Sequence, residues 1–424
     1  MKLFQQMLVA GASLSLLAPV AAQASDVVNL EEMNSYSRSK TKSSRLDSKT
    51  FINEVSEDIA NLKGRVDGLE VKQNEFEAGG FSDTTTLDGK AVFALMGTDH
   101  SKVKADGTDS LAAAYQYTMN LNSSFTGDDN LYVRLRAGNG TSNFTTKTFG
   151  TYLSMGTGYS DQLRVDKIWY TFPVGESNTV WVGPKIENYY MHATTPSIYK
   201  PVTKQFTLGG NGDAYGASTD SGFGWAYKAD NGFAVSSNVV SKQNGTSNGL
   251  FTDQSKQSWA TQAGYTTDQW SVSAIVNQKY NGWTDGYYES AQHTPSTGVT
   301  NFTAIGLRGW WRPTETGTAM PSISLGYDTT DHDGAPEASN NSTAWFAGLT
   351  WQDMFQADDR IGLAFGQPTT NEDETVDPFA YEAYYEFKAN DSVTITPTVF
   401  GGSDRNGTSG DDVFGAILQT TFKF

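Results

Sequence analysis

Charged residues recur at every second position of segments whose intervening residues are apolar. Arg134 and Arg136 flank Leu135 in this way. Because successive side chains of a β-strand point to opposite faces, this spacing places the charges on one face. The charged residues in this phase are Arg134, Arg136, Lys167, Lys185, Arg308, Arg312, Arg360, Glu382 and Glu386. If that face borders water, opposed basic and acidic rows create a transverse field that orients dipolar solutes and sorts ions. The alternative is a solvated face without selectivity.

Other kinds of chemistry have few candidate residues. The 424 residues include no cysteine, which excludes disulfides, thiolate metal sites and cysteine nucleophiles. His100, His192, His293 and His332 all fall in predicted loops, so no triad with serine and aspartate is indicated. A net charge of −17 argues against nucleic acid binding, which depends on clustered lysine and arginine. We therefore predict no cofactor, no metal site, no nucleic acid partner and no enzymatic activity.

The elements that would position the charged residues are β-strands, because the hydrophobic period from Leu87 onward is two. Tyr115, Tyr117, Met119 and Leu121 alternate with polar residues. The predicted strands are 90–96, 111–125, 131–138, 163–172, 179–186, 222–228, 233–241, 257–265, 269–278, 302–312, 321–328, 343–351, 360–366, 379–388, 393–400 and 413–424. The connections between these sixteen segments alternate strictly between short and long. That alternation is typical of a transmembrane barrel with tight turns at one rim and long loops at the other. The fold class predicted is all-β, a 16-stranded antiparallel transmembrane β-barrel spanning 84–424.

The longest connection, 35 residues from Glu187 to Ser221, mixes aromatic and basic residues with two prolines. Its candidate residues are Tyr189, Tyr190, His192, Tyr199, Lys200 and Lys204. Loops of this length are uncommon unless they are functional or disordered. We expect it to fold inward as a constriction loop; the alternative is an unstructured external loop.

The N-terminal residues read as targeting and linker segments. Met1 to Ala24 carries one lysine, an apolar run and the small-residue site Ala22-Gln23-Ala24, which is typical of a signal peptide. Residues 25–49 are polar and predicted to be a flexible linker.

Residues 50–77 carry apolar positions at alternating spacings of three and four. These are Ile52, Val55, Ile59, Leu62, Val66, Leu69 and Phe76. Asp58 with Lys63 and Arg65 with Glu70 would form interhelical pairs of opposite sign, as a parallel coiled coil uses. An even strand count puts both barrel ends on the short-turn side, so this helix is expected in the periplasm. The alternative is an amphipathic helix lying on its own barrel.

The last predicted strand has the most specific sequence pattern in the chain. Phe414, Ala416, Leu418, Thr420, Phe422 and Phe424 share one face, and the sequence stops at the aromatic residue. This pattern is similar to the C-terminal signature of outer-membrane barrels. It indicates that the strand-rich region lies in the outer membrane.

Two further segments resemble a known family. They are Leu121 to Asn139, LNSSFTGDDNLYVRLRAGN, and Asp166 to Gly175, DKIWYTFPVG, followed by Val180 to Pro184. The chain resembles cyanobacterial outer-membrane porins of the carbohydrate-porin (OprB) family, often described as iron-uptake porins. The resemblance implies a trimeric passive channel. Such porins usually carry a surface-layer homology domain before the coiled coil, for which residues 25–49 are too short, and this leaves cell-wall binding open.

The function predicted is an outer-membrane porin for small hydrophilic solutes and inorganic ions, with iron or carbohydrate as candidates. The expected partners are membrane lipid, the solutes, and two further copies of the chain joined through barrel walls and coiled coil. An outer-membrane tether or adhesin, and a barrel enzyme, are the alternatives.

Overall fold

The strands form where aromatic and β-branched residues alternate with small or polar ones, and in the computed structural model they close into an antiparallel barrel. The structure describes residues 62–66, 68, 80–82, 84–99, 111–140, 144–145, 147, 150–210, 212–216, 219–242, 249–283, 286–290, 299–405, 407 and 409–424. A short strand β1 (Gly80–Ser82) precedes sixteen long ones. These are β2 (Thr85–Thr98), β3 (Ala112–Ser123), β4 (Asn130–Gly138), β5 (Arg164–Val174), β6 (Asn178–Glu187), β7 (Thr219–Lys228), β8 (Phe233–Ser241), β9 (Gln257–Thr266), β10 (Trp270–Tyr280), β11 (Phe302–Trp311), β12 (Ser322–His332), β13 (Asn341–Gln352), β14 (Arg360–Asn371), β15 (Phe379–Asn390), β16 (Val393–Ser403) and β17 (Val413–Lys423).

Each long strand pairs with the next in the chain, and β17 pairs with β2, so the ladder has no free edge among these strands. The predicted 16-stranded antiparallel barrel is confirmed. Some strands are longer than the alternating apolar segments from which they were predicted. The predicted strands 321–328 and 360–366 end in the structure at His332 and Asn371. The apolar signal stops earlier, but backbone pairing continues through polar residues such as Asp331, which is opposite Thr303. His332 was expected in a loop and instead ends β12.

The two faces of the wall differ as the alternation predicts. On β9, Ser258, Ala260 and Gln262 are fully buried inside, whereas Trp259 between them is 52% exposed outside. Val272 and Leu307 on neighbouring strands are exposed to a similar degree. Because apolar side chains cover the outer face and small polar ones the inner face, the barrel is built to be surrounded by an apolar medium.

Proline within a closed barrel needs a local break in the ladder, because it has no N–H to donate. Pro397 lies in the middle of β16 and is opposite Leu418 on β17. Toward β15, pairing resumes only at Thr398 with Tyr384 and at Ile395 with Phe387. The missing donor therefore coincides with a gap in pairing.

Two short turns are organised by an aspartate in the same way. Asp129 accepts from the backbone N–H groups of Phe125 and Thr126 at 2.9 and 2.7 Å, and its other oxygen accepts from the Tyr170 hydroxyl at 2.7 Å. Asp359 accepts three backbone N–H groups of its own turn and the Tyr385 hydroxyl. In both cases the tyrosine comes from the adjacent strand, so the turn is fixed to the wall.

The chain divides into a barrel unit, Phe81–Phe424, and an N-terminal unit, Met1–Gly80. Within it, residues 62–66 and 68 are helical, with Leu62 and Val66 exposed. The predicted signal peptide, the linker and the rest of the predicted coiled coil lie outside the described residues. No helix in the described part of the chain is long and apolar enough to cross a membrane.

The closing seam depends on Gly89. Its N–H donates to the Phe424 carbonyl at 2.8 Å, and the Phe424 ring stacks on Tyr117 with a centroid distance of 5.8 Å. A Cβ at Gly89 would lie 2.5 Å from Cε2 of Phe424 and 2.7 Å from the Thr118 carbonyl oxygen. Any side chain at this position therefore conflicts with the docked ring.

We predict that Gly89→Ala weakens barrel closure by roughly 1–3 kcal/mol, the usual cost of overpacking. The matched control is Gly309→Ala on β11, where the added Cβ would meet its nearest atom at 3.6 Å. The folded fraction is measured by heat-modifiable electrophoretic mobility of outer-membrane fractions. Equal folded fractions for the two variants would contradict this account of the seam.

Candidate channel interior

The connection between β6 and β7 lies against the inner wall of the barrel. Its backbone is bound by polar side chains that point inward from the strands. The N–H groups of Ala193, Thr194 and Ile198 donate to Ser236 Oγ, Gln262 Oε1 and Ser324 Oγ at 3.0, 2.9 and 3.2 Å, and Trp310 Nε1 donates to the Thr195 carbonyl at 3.0 Å. These contacts come from β8, β9, β12 and β11, so the loop crosses much of the wall. It is an internal element rather than an external one.

Glu382 on β15 holds the middle of this loop. Its carboxylate accepts from the Tyr199 hydroxyl at 2.9 Å, from the Val202 N–H at 3.1 Å, and from both the N–H and the hydroxyl of Thr203 at 2.6 and 2.5 Å. The side chain is fully buried. A buried carboxylate with four donors is satisfied by hydrogen bonds, as burial of a charge requires. Glu382 thus faces the loop rather than open water.

Arg308 on β11 holds the end of the loop from the other side. Its Nε and Nη2 donate to the carbonyls of Leu208 and Gly210, both at 2.9 Å, and Nη2 also binds Asp328 Oδ2 at 2.7 Å. The arginine is 3% exposed. It was predicted to line the pore; the structure places it beneath the loop, because loop carbonyls compete for its donors.

Two of the predicted wall residues lie elsewhere. Lys185 is opposite Ile168, which follows the inward Lys167, so Lys185 is on the outer face, and its Nζ donates to the Val165 carbonyl at 2.7 Å. The register shift between Ile168 and Tyr170 reverses the expected phase. Arg312 follows the end of β11 at a short turn, where its Nε binds the Asp268 carbonyl at 2.6 Å.

Arg134, Arg136 and Lys167 lie close together inside the barrel. Arg134 Nε donates to Asn120 Oδ1 at 2.9 Å, and Arg136 lies 3.3 Å from Asp166. Lys167 is buried and paired with Glu187. The three basic residues line one open cavity of about 560 Å³.

Arg360 and Glu386 line a second, smaller cavity of about 280 Å³. Their side chains form an ion pair at 3.4 Å between Nη1 and Oε1. They are adjacent across β14 and β15 rather than opposed across the barrel. The predicted opposition of basic and acidic rows is therefore replaced, at this point, by direct pairing.

The aromatic residues of the loop form a stack over the basic cavity. The rings of Tyr189 and Tyr190 are 4.6 Å apart, and Tyr190 contacts Trp169 at 4.7 Å. Lys167 Nζ lies 4.8 Å from the centre of the Tyr190 ring. This arrangement provides both flat aromatic surfaces and cations, which are typical contacts for polar organic solutes.

The other three predicted loop residues, His192, Lys200 and Lys204, have separate environments. His192 Nδ1 lies 3.3 Å from Asn238 Nδ2, and burial lowers the pKa of His192 to about 4, so the ring is neutral at pH 7. The pKa of Lys200 is lowered mainly by the nearby Arg360 guanidinium and, to a lesser degree, by loss of water around its ammonium group. Lys204 Nζ lies over the rings of Tyr152 and Tyr287 at 4.7 and 4.2 Å.

Sequence reasoning missed several charged residues of the interior. Lys90 and Lys423 line the basic cavity, and the two-residue alternation of β2 and β17 could have indicated both. Glu187 also lines it, at the end of β6. Asp166 could not have been found by alternation. It lies inward beside Lys167 because the β4–β5 register shifts between Arg134 and Leu135.

Comparison with known proteins identifies relatives by family, sequence and fold. The model of a family described as "Carbohydrate-selective porin, OprB family" matches residues 44–424. An uncharacterized protein of Nostoc sp. is 24% identical over 426 residues, covering 88% of this chain and 71% of that protein. A second, of Synechocystis sp., is 23% identical and covers 82% and 70%.

Solved porins share the fold. The structure of Pseudomonas putida OprB matches with a TM-score of 0.58 at 13% identity, covering 84% of this chain and 96% of that one. A triple mutant of the Rhodopseudomonas blastica porin matches with a TM-score of 0.51 at 10% identity, covering 80% and 100%.

We predict that Glu382→Gln loosens the internal loop, because an amide cannot accept all four donors. Losing such bonds costs about 1–3 kcal/mol, which corresponds to a roughly 5- to 150-fold increase in local opening. Hydrogen–deuterium exchange of the peptide containing Val202 and Thr203 measures it directly, since both amides bind Glu382.

The matched control is Glu386→Gln, on the same strand but paired with Arg360, while the amides of Val202 and Thr203 bind Glu382. It should leave exchange at Val202 and Thr203 unchanged. Equal protection in the two variants would show that Glu382 does not hold the loop.

Proposed function

This chain belongs to the OprB family of carbohydrate-selective porins, and we propose that it is a passive outer-membrane channel for small hydrophilic solutes and inorganic ions. Carbohydrates are the solute class that the family name gives. The observation that carries the proposal is the interior: a polar inner wall, a loop bound against it, and open cavities lined by charged side chains.

We further propose that the basic wall sets ion preference. Arg134, Arg136 and Lys167 lie close together in a cavity that Tyr189, Lys204 and Thr207 of the internal loop also line. Fixed charge acts most strongly where an ion must pass near it, and the Debye length is about 8 Å at 0.15 M salt. Charges at this point should therefore outweigh acidic residues of the long connections, such as Glu372, Asp373 and Glu374 between β14 and β15. We expect a preference for anions.

In planar bilayers we expect discrete current steps, and the Arg134→Glu, Arg136→Glu variant should shift the reversal potential in a salt gradient toward cations. The shift should grow as salt is lowered. Arg312→Glu is the control, because Arg312 lies at a short turn outside the cavity.

Each outcome of this experiment assigns the function differently. Absence of steps would reject the channel and leave a tether, or an enzyme if hydrolysis accompanies the silence. An unchanged reversal potential, together with a shift on neutralising Glu372, Asp373 and Glu374, would place selectivity at the mouth.

We propose that three copies assemble through their barrel walls and through a periplasmic coiled coil of residues 50–77. The exposure of Leu62, at 57%, and Val66, at 47%, supports this, because both are apolar positions of the heptad series. The two lie on one face of a helix, four residues apart.

Ile59→Asp with Leu62→Asp should reduce the oligomer mass, or remove only helix content if the barrels already hold the trimer. Ala60→Asp with Asn61→Asp is the matched control, since it adds the same charge away from the apolar series. Light scattering and circular dichroism report the two outcomes. If neither changes relative to the control, the segment is not a coiled coil.

A further inference from the structure

The larger interior cavity concentrates positive charge. It lies beside β2, β3, β4 and β5, the end of β17 and the internal loop, with a volume of about 560 Å³. Small-molecule sites usually occupy about 300–1,000 Å³. Its basic lining residues are Lys90, Arg134, Arg136, Lys167, Lys204 and Lys423, against two acidic ones, Asp88 and Glu187.

Like charges are placed directly opposite each other in this wall. Lys90 is the cross-strand partner of Lys423, and Arg134 is the partner of Lys167. Opposed like charges on neighbouring strands destabilise a sheet. Two such pairs in one cavity cost stability, which indicates that these positive charges serve a function such as binding an anion.

The acidic residues neutralise only part of this group. Glu187 binds Lys167 and the Thr219 hydroxyl, and Asp88 accepts from Asn120 at 2.6 Å and from Asn122 at 3.3 Å. Asp166 binds Arg136. Within the described part of the chain, Lys90, Arg134, Lys204 and Lys423 have no carboxylate partner.

Arg134 is held in place by neutral groups. Its Nε donates to Asn120 Oδ1 at 2.9 Å and its Nη2 to the Tyr190 hydroxyl at 3.2 Å. The guanidinium is therefore oriented without being neutralised. Charge-assisted bonds from arginine and lysine are the usual contacts of phosphate oxygens.

We propose that this cavity binds compact oxyanions, namely inorganic phosphate or the phosphate group of a sugar phosphate, as a site on the route through the barrel. This inference rests on the proposed channel function, because the site would act on solutes that pass through the barrel. Binding itself depends only on the cavity. An uncharged sugar lacks the negative charge that would pair with the four cations without a carboxylate partner.

Isothermal titration calorimetry of the detergent-solubilised full chain, at constant ionic strength, tests binding without requiring current. Inorganic phosphate should bind saturably, glucose 6-phosphate should compete with it, and glucose should not. Arg134→Gln should weaken phosphate binding roughly tenfold, the effect of one charge-assisted bond. Lys90→Gln is the second variant, since no described residue depends on Lys90 for an ion pair. Arg312→Gln should bind as the unmodified protein does.

The outcomes separate the two proposals. Any of three results would overturn the oxyanion site. The first is the absence of saturable heat on adding phosphate, and the second is equal phosphate affinity in Arg134→Gln, Lys90→Gln and Arg312→Gln. The third is competition by glucose as strong as that by glucose 6-phosphate. If phosphate binds as expected but bilayers show no current steps, the site stands and the channel function fails. If steps occur and phosphate changes neither heat nor current, the channel stands and the site fails. If glucose 6-phosphate binds more weakly than inorganic phosphate, the site is assigned to the free ion.

Discussion

The closed backbone ladder is the constraint on which the rest of the structure depends. Unpaired N–H and C=O groups are very costly in a hydrocarbon layer, so a β-structure that faces lipid must have no free edge. Pairing of β17 with β2 removes the edge, and the seam requires a residue without a side chain at Gly89 to seat the terminal Phe424 ring. The single proline in the middle of β16 coincides with a gap in pairing for the same reason.

Closure determines where the remaining polar groups must go. Once the wall is sealed, the long chain between β6 and β7 lies inside, and its backbone groups need partners there. The inner face supplies them from separate strands: Ser236, Gln262, Arg308, Ser324 and Glu382 each bind loop backbone. Charged residues of the wall thus have two uses. Some, such as Glu382 and Arg308, hold the loop, and others, such as Arg134, remain directed at the open cavity.

The division between anchors and cavity residues has an electrostatic consequence. The anchoring Arg308 is ion-paired with Asp328 at 2.7 Å and so adds little net field to the lumen. The basic side chains around Arg134 are only partly compensated. The net −17 charge of the whole chain is therefore a poor guide to its interior, where positive charge prevails in the larger cavity.

The sequence by itself determined the period, the number and the order of the strands, because apolar–polar alternation is a local property of a wall between lipid and water. It also placed Arg134, Arg136 and Lys167 in the polar phase of their strands, and it singled out the long aromatic connection between β6 and β7 as a candidate functional loop. Only the tertiary structure decided which charged residues face open water. Lys185 lies outside because a register shift resets the two-residue phase, and Asp166 lies inside for the same reason. Glu382 and Arg308 became anchors because their partners come from about 180 and 100 residues away in the chain, a proximity that no local pattern encodes.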